Sequence, residues 1–467
     1  MISADTLPDD ILLAIFYHYV NDEDQSEKQS ERAWQSLVHV CRRWRSIIFA
    51  SPRHLNLQLV CTSQTPAKDM LEVWPAFPLI IQSYIIHREG RMDNIIAVLE
   101  RSVHVSQIRI TNIHSSDLKI FLEEMQRPFP ELTDLYLHSF SETVPVVPDS
   151  FLGGSTPRLQ NLVLSRIPFP GLPKLLLSAT QLVTLSLDHI SHSGYITPDV
   201  MVTVLSSLTS LSSFTLEFQP IQPYPDHAGR RPLPLTRSVL PVLTFFIFEG
   251  ASKYIEDLVA RIDAPRLNFL RTTFFNDTVI DTQQFVQFIS RTPTSRAPKK
   301  AQFILQNRHA CLRFLLQTPG DGVLNLGISC RRLDLQLSSL KRLCTSCLPS
   351  LSILEDLYIY EDPESVPDWK DDIENGLWLQ LLHLFTAVRN LFLSEQIALR
   401  IGPALQVLVE GRTTEVLLAL QNIFLEGLES PGSVQEGIAK FVAARQVAGR
   451  PIAVFSWASS NRDKVYF

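Results

Sequence analysis

Two periodicities share this chain. In short bursts apolar and polar residues alternate, as in a strand with one face buried; between the bursts apolar residues return every third or fourth position, as in an amphipathic helix. The bursts have the form L-x-x-L-x-L: "VSQIRI", "LTDLYL", "LQNLVL", "LVTLSL", "LSSFTL", "LTFFIF", "LNFLRT", "KAQFIL", "CRRLDL", "LEDLYI", "VRNLFL" and "LQNIFL". They begin at Val105, Leu132, Leu159, Leu182, Leu211, Leu243, Leu267, Lys300, Cys330, Leu354, Val388 and Leu420. Between them lie helical stripes such as "DLKIFLEEM", "GLPKLLLSAT", "DVMVTVLSSL", "YIEDLVARI" and "WLQLLHLF". One strand and one helix per unit, returning at intervals of about 23 to 34 residues, predicts an α/β solenoid, because a unit buries its leucine side only by stacking on its neighbours. That solenoid is expected over residues 101–430, parallel strands on its concave face and helices on its convex face. "RHLNLQL" and "FPLIIQSYI" read as entry strands within 57–100. "SVQEGIAKFVAARQ" and "IAVFSW" read as a helix and strand that cap the end over 431–467.

The first 56 residues carry only the helical period. Pro8 suits a first helical position, Asp9 and Asp10 complement the positive end of the helix dipole, and Ile11, Leu12, Ile15, Phe16 and Tyr19 form a stripe behind them. "NDEDQSEKQSER" then interrupts as a polar loop, and a second stripe follows through Trp34, Leu37, Val38, Cys41, Trp44 and Ile48 until Ser51-Pro52 closes the unit.

Leu7-Pro8, the acids after them, Ile15-Phe16, "LVHVCRRWRSI" and the closing Ser-Pro together resemble an F-box, a three-helix hook that docks on the small adaptor subunit of cullin-based SCF ubiquitin ligases. Long acidic loops and the segment "CTSQTPAKDMLEVWPAFPLII" are similar to those of the F-box families expanded in mushroom-forming fungi. By position the resemblance assigns adaptor contact to Leu7, Pro8, Ile11, Ile15, Phe16, Leu37, Val40, Cys41 and Trp44. The chain departs from the F-box pattern in a longer first loop and in "RHLNL", which stands where a tryptophan often follows the Ser-Pro. Beside this hook the repeats read as leucine-rich-repeat-like and irregular, since the usual asparagine after the strand is mostly missing.

Composition narrows the partners. The 467 residues carry 42 Lys and Arg against 48 Asp and Glu, a net charge of −6, which offers no basic field for nucleic acid or acidic lipid. No apolar run approaches the length of a membrane span, and the six scattered cysteines suit reduced thiols. The expectation is an intracellular protein of cytosol or nucleus. Two long interruptions, the proline-rich "QPIQPYPDHAGRRPLPL" and the acidic "EDPESVPDWKDD", read as surface loops.

No phosphate-binding glycine loop, zinc-protease helix or nucleophile elbow occurs. Cys344 and Cys347 are spaced to share a metal but have no second ligand pair, so neither a metal nor a cofactor is expected. The third, fifth and seventh positions of each repeat project away from the leucines and line one wall. Asp134, Asp188, Glu217, Glu249, Asp334, Asp356 and Glu426 make it acidic against Arg109, Arg271 and Arg332. Tyr358, Tyr360, Phe392 and Phe424 make its far end aromatic. Those four rings with Asp334, Asp356 and Glu426 are the candidate substrate surface, suited to a basic peptide with an apolar anchor. These readings point to a non-catalytic protein that joins an adaptor, and through it a cullin, to an unknown protein substrate. A repeat scaffold without a ligase, and a hydrolase whose site is assembled from distant residues, stand as the alternatives.

Overall fold

The computed structural model describes residues 7–20, 34–52, 54–55, 57–64, 66–74, 77–84, 92–141, 143–220, 236–275, 282–293, 298–315, 322–347, 351–367, 375–411, 416–427 and 436–457. The acidic loop after the first helix, most of the proline-rich interruption and the end of the later acidic one lie outside them. The chain divides into two compact units, up to Ile196 and from Thr197 on.

The first unit opens with helix α1 (Asp9–Val20), a helical stretch at 34–38 and helix α2 (Arg42–Ala50). Strands β1 (Leu59–Cys61), β2 (Leu79–Tyr84), β3 (Val105–Ile113), β4 (Asp134–Ser139), β5 (Asn161–Ser165) and β6 (Thr184–Ile190) follow. They lie side by side in chain order, each parallel to the next. Helices α3 (Ala67–Val73), α4 (Met92–Leu99), α5 (Ser115–Glu124) and α6 (Leu172–Leu176) fall between them. The register sets Ile81, Ile108, Leu135, Leu162 and Leu185 in one buried column. Each such side chain contributes roughly 1.5–3 kcal/mol by its burial, a gain that exists only once neighbouring repeats are stacked. The entry strands are therefore the first members of the sheet.

An aromatic box fastens the opening helices to this sheet. The Trp34 ring meets Trp74 at 5.0 Å and Phe77 at 5.3 Å, both edge-on, and Phe49 meets the same two rings at 5.8 Å. Edge-to-face packing of this kind adds about 0.5–1.5 kcal/mol per pair beyond area burial.

In the second unit helix α7 (Pro198–Ser207) leads into strands β7 (Ser213–Phe218), β8 (Ser238–Val239) and β9 (Phe245–Gly250), helix α8 (Ser252–Val259), and strands β10 (Ile262–Asp263) and β11 (Phe269–Phe275). The short β8 and β10 pair with each other. Helix α9 (Gln283–Ser290) then precedes β12 (Lys300–Leu305), β13 (His309–Leu315) and β14 (Val323–Ser329). Helix α10 (Leu333–Cys347), β15 (Asp356–Glu361), helix α11 (Asn375–Leu382), β16 (Asn390–Leu393), helix α12 (Glu395–Gly411), β17 (Asn422–Glu426), helix α13 (Glu436–Val447) and β18 (Ala453–Trp457) complete it. The main sheet of this unit runs β7-β9-β11-β14-β13-β12-β15-β16-β17-β18.

Here the simple repeat breaks. β12 and β13 form an antiparallel hairpin closed by the Gln306 N–H donating to the His309 carbonyl at 2.8 Å, and β14 returns antiparallel to β13 to sit beside β11. "CRRLDL" is not a strand. Leu333, Leu337, Leu340, Leu343 and Cys344 are buried along α10, a helical stripe that prevails over the local alternation of Leu333, Leu335 and Leu337. All the other bursts form strands at their expected places. Across the unit Phe214, Phe246, Leu270, Leu324, Phe314, Ala301, Leu357, Leu391 and Ile423 form one continuous buried row on the helix side. Among the described residues no helix is long and apolar enough to cross a membrane.

Candidate functional site

Helix α1 carries two stripes rather than one. Leu12, Phe16 and Val20, four residues apart, are buried, and the Phe16 ring packs on Trp44 with centroids 4.7 Å apart. Ile11 and Ile15 lie one position earlier, turned by roughly 100° on the helix, and are 46% and 48% exposed. Pro8 is exposed, its carbonyl accepting from the Leu12 N–H; Leu7 is half-buried. The Arg43 guanidinium ties the start of α1 to α2, donating to Asp9 Oδ1 at 2.6 Å and to the Leu7 carbonyl at 2.5 Å. Cys41 caps α2 by accepting the Trp44 N–H on Sγ, Trp44 is half-buried, and Val40 beside them is 57% exposed. Two of the expected contact residues, Phe16 and Leu37, are interior, Phe16 under the Trp44 ring. Pro8, Ile11, Ile15 and Tyr19 are exposed on one flank of α1 at three- and four-residue spacing, and Val40 is exposed before α2.

The wall of the second unit follows from strand register. One row crosses nine strands as Ile247, Arg271, Asn325, Arg313, Gln302, Tyr358, Phe392, Phe424 and Phe455. Its last four members stack as a ladder: Tyr358 on Phe392 at 4.1 Å, Phe392 on Phe424 at 4.3 Å and Phe424 on Phe455 at 5.2 Å. Parallel in-register strands bring like residues to one height, which is why the rings lie nearly flat on one another.

The depth of this ladder corrects the sequence expectation. Tyr358 and Tyr360 are buried, packed with Ile304 and Trp457, while Phe392 and Phe424 are half-buried against the same cluster. Burial, and next the charge of Asp356, push the Tyr358 hydroxyl up to about 12. Only Phe455 presents a largely open ring, 46% exposed. The acids move as well. Asp334 is not on the wall; it stands in the first turn of α10, paired with Arg332 at 2.6 Å. Asp356 accepts from Asn390, whose carbonyl oxygen accepts in turn from Asn422, each at 2.7 Å, so a side-chain ladder at the strand entrances occupies it. Glu426 is half-buried at the end of β17.

At the opposite end of the same wall Glu249 lies beside Glu217 in register. Burial, then the repulsion of Glu217, push its carboxyl from the usual 4.5 up to about 7 despite the opposing pull of Arg271. A carboxyl raised in the folded state contributes stability below its ordinary value that is lost as pH rises through about 7. Glu249→Gln is therefore expected to be more stable than the parent at pH 8, by about 1–2 kcal/mol after discounting for its partial exposure. The gain disappears near pH 4; denaturant titrations at the two pH values measure it.

In the first unit the wall sets His138, Ser165 and Asp188 in one register row. Serine stands between the other two, whereas a nucleophile–base pair needs the histidine between serine and carboxylate. His138 Nδ1 accepts the Asn112 N–H at 3.4 Å, which leaves the proton on Nε2, and burial followed by Arg166 holds it below the ordinary histidine value. The row offers hydrogen bonds and local charge instead of an activated hydroxyl. Among the described residues no three potential ligand side chains gather as metal ligands would.

Arg313, Gln302, Asn325, Phe455 and Trp457 escaped the sequence reading. The polar break "QNR" between the apolar runs "FIL" and "HACLRF" was the available signal for the hairpin that places the first two.

No family model matches this chain, and no curated protein matches it. Among solved structures, the leucine-rich repeat-containing protein LegL7 from Legionella pneumophila aligns with 84% of this chain and 98% of its own, at 11% identity and a TM-score of 0.29.

Proposed function

We propose that this chain is a substrate-recognition subunit of an SCF-type ubiquitin ligase: its opening helices dock on the ligase adaptor, and through it a cullin, while the wall of its repeats holds the protein to be modified. The observation that carries this reading is the exposed Pro8, Ile11 and Ile15 flank of α1, which runs beside a separate, buried stripe. Exposed apolar side chains grouped in this way are a feature of docking surfaces. The F-box resemblance runs through the same residues. The mechanism is proximity, since tethering raises the effective concentration of substrate at the ligase without any chemistry in this chain. Ile11 and Ile15 together changed to Asp are expected to reduce adaptor co-purification at least a hundredfold while leaving the melting temperature within about 2 °C, because both side chains already face water. Undiminished co-purification contradicts the reading. A repeat scaffold that binds no ligase is the second reading, favoured by the interior placement of Phe16 and Leu37, two of the residues through which the resemblance assigns docking.

A further inference from the structure

On the first unit's wall the charge left open to a partner is a cation. One row there runs Gln82, Arg109, Tyr136, Val163 and Ser186 across β2 to β6. None of them is buried, and Gln82 and Arg109 are exposed. The Arg109 guanidinium lies over the Tyr136 ring, 5.3 Å from its centroid. Beyond that contact its side chain makes no hydrogen bond or ion pair with any described residue, and the Gln82 amide beside it makes no hydrogen bond with one either. A guanidinium held on an aromatic face has lost freedom before a partner arrives, while its N–H groups remain able to donate. Asp134, on the adjoining strand and two residues back toward the strand starts, is already engaged. Its Oδ1 accepts from the Asn161 amide and its Oδ2 from the Thr133 hydroxyl, each at 2.6 Å. On the other side of Arg109, one strand over and two residues on, Tyr84 pairs with Thr111 and is 65% exposed. It stands on the same face of β2 as Gln82. One strand spacing and a two-residue rise separate the Arg109 and Tyr84 backbones by roughly 8 Å.

We propose that Arg109, Gln82 and Tyr84 seat an extended acidic segment of a partner protein, an Asp or Glu carboxylate on the Arg109 guanidinium and, two residues away in that segment, an apolar side chain on the Tyr84 ring. This inverts the basic partner suggested by the sequence. Two residues of extended chain rise about 6.6 Å and return the side chain to the same side, which matches the spacing of Arg109 and Tyr84 within side-chain reach. The segment runs from Arg109 away from Asp134, so its acid gains the guanidinium and the Gln82 amide without lying over a carboxylate. A single open arginine makes no basic field, and the affinity depends on where the acid stands relative to the apolar side chain. The inference rests on the wall being the surface that selects a partner, but not on the ligase: adaptor docking and peptide binding occupy different residues and are read separately.

The test is selection of a displayed random twelve-residue peptide library on the purified full chain and on Arg109→Glu and Arg109→Gln, substitutions of an exposed side chain that should leave the melting temperature unchanged. The parent is expected to enrich peptides with Asp or Glu two residues from an aromatic or aliphatic side chain. A synthetic fluorescent peptide of that pattern should lose affinity about tenfold on Arg109→Gln and more on Arg109→Glu. Tyr84→Ala should weaken the same peptide while leaving its preference for an acid. Amidating the peptide's C-terminus should change nothing; loss of binding on amidation would give the site to a chain end and overturn the proposal. Enrichment of basic peptides, no enrichment, or equal affinity for parent and both Arg109 variants overturns it too. So does a dimer in sedimentation that Arg109→Glu dissolves, which would give the face to a second copy of the chain. Adaptor co-purification of the Arg109 variants should match the parent, and its failure in the parent would strike the ligase reading alone.

Discussion

Gly437→Ala is expected to destabilise the second unit by about 3 kcal/mol or more, a large effect for a single methyl group. A Cβ at Gly437 would stand 2.3 Å from the Gly402 carbonyl oxygen and 2.5 Å from its carbon. Both atoms belong to the backbone of α12, so no side chain can swing aside and the two helices must separate. Pro403, inside α12, has no N–H and disturbs the helix locally, and the adjoining Gly402 lets α13 come within backbone contact at that point. Thermal or denaturant unfolding measures the loss. Gly376→Ala is the internal control: nothing lies within 4 Å of a Cβ there, so the variant should be neutral or more stable by up to about 1 kcal/mol.

Trp34→Ala carries the other large effect. The side chain is 2% exposed and forms one corner of the four-ring box that fastens the opening helices to the sheet. Removing it leaves a large cavity, and about 3–5 kcal/mol of stability should go with it. Trp34→Phe should cost far less, because a ring remains and the Trp34 Nε1 has no hydrogen-bond partner to lose. The consequence reaches function: Ile11 and Ile15 present their stripe only while Phe16 and Trp44 hold α1 against α2, so Trp34→Ala should also weaken adaptor binding without touching the docking surface. Unfolding of the first unit and adaptor affinity, measured on both variants, separate the two effects.

Much of the sheet is readable in the sequence because each strand is a local statement. Two apolar residues two apart, bounded by turn residues, are enough to mark "LTDLYL" or "VRNLFL". Readings fail where a longer window is needed. In "CRRLDL" the alternation of Leu333, Leu335 and Leu337 fits a strand, and only Leu340, Leu343 and Cys344 further on show the helical period that prevails. The hairpin of β12 and β13 matches no repeat template, and it reorders the sheet.

The candidate surface was legible in register but not in depth. That Tyr358, Phe392 and Phe424 share a wall follows from strand alternation alone. That Tyr358 is sealed does not: Trp457, almost a hundred residues later, packs against it with ring centroids 6.1 Å apart. The same holds for charge. Asp356 reads as an available acid until Asn390 arrives from the next repeat to hold it. In the opening helices periodicity marks one broad stripe where the fold makes two, and only burial tells Ile15 from Phe16.

The central claim is that the opening helices join this chain to a ligase adaptor, and the most direct measurement is co-elution of the purified chain with the purified adaptor subunit in size-exclusion chromatography at micromolar concentration. The account predicts a one-to-one complex that survives Arg109→Glu and is lost when Ile11 and Ile15 become Asp. Separate elution of the two proteins, or a complex indifferent to Ile11 and Ile15, would contradict it.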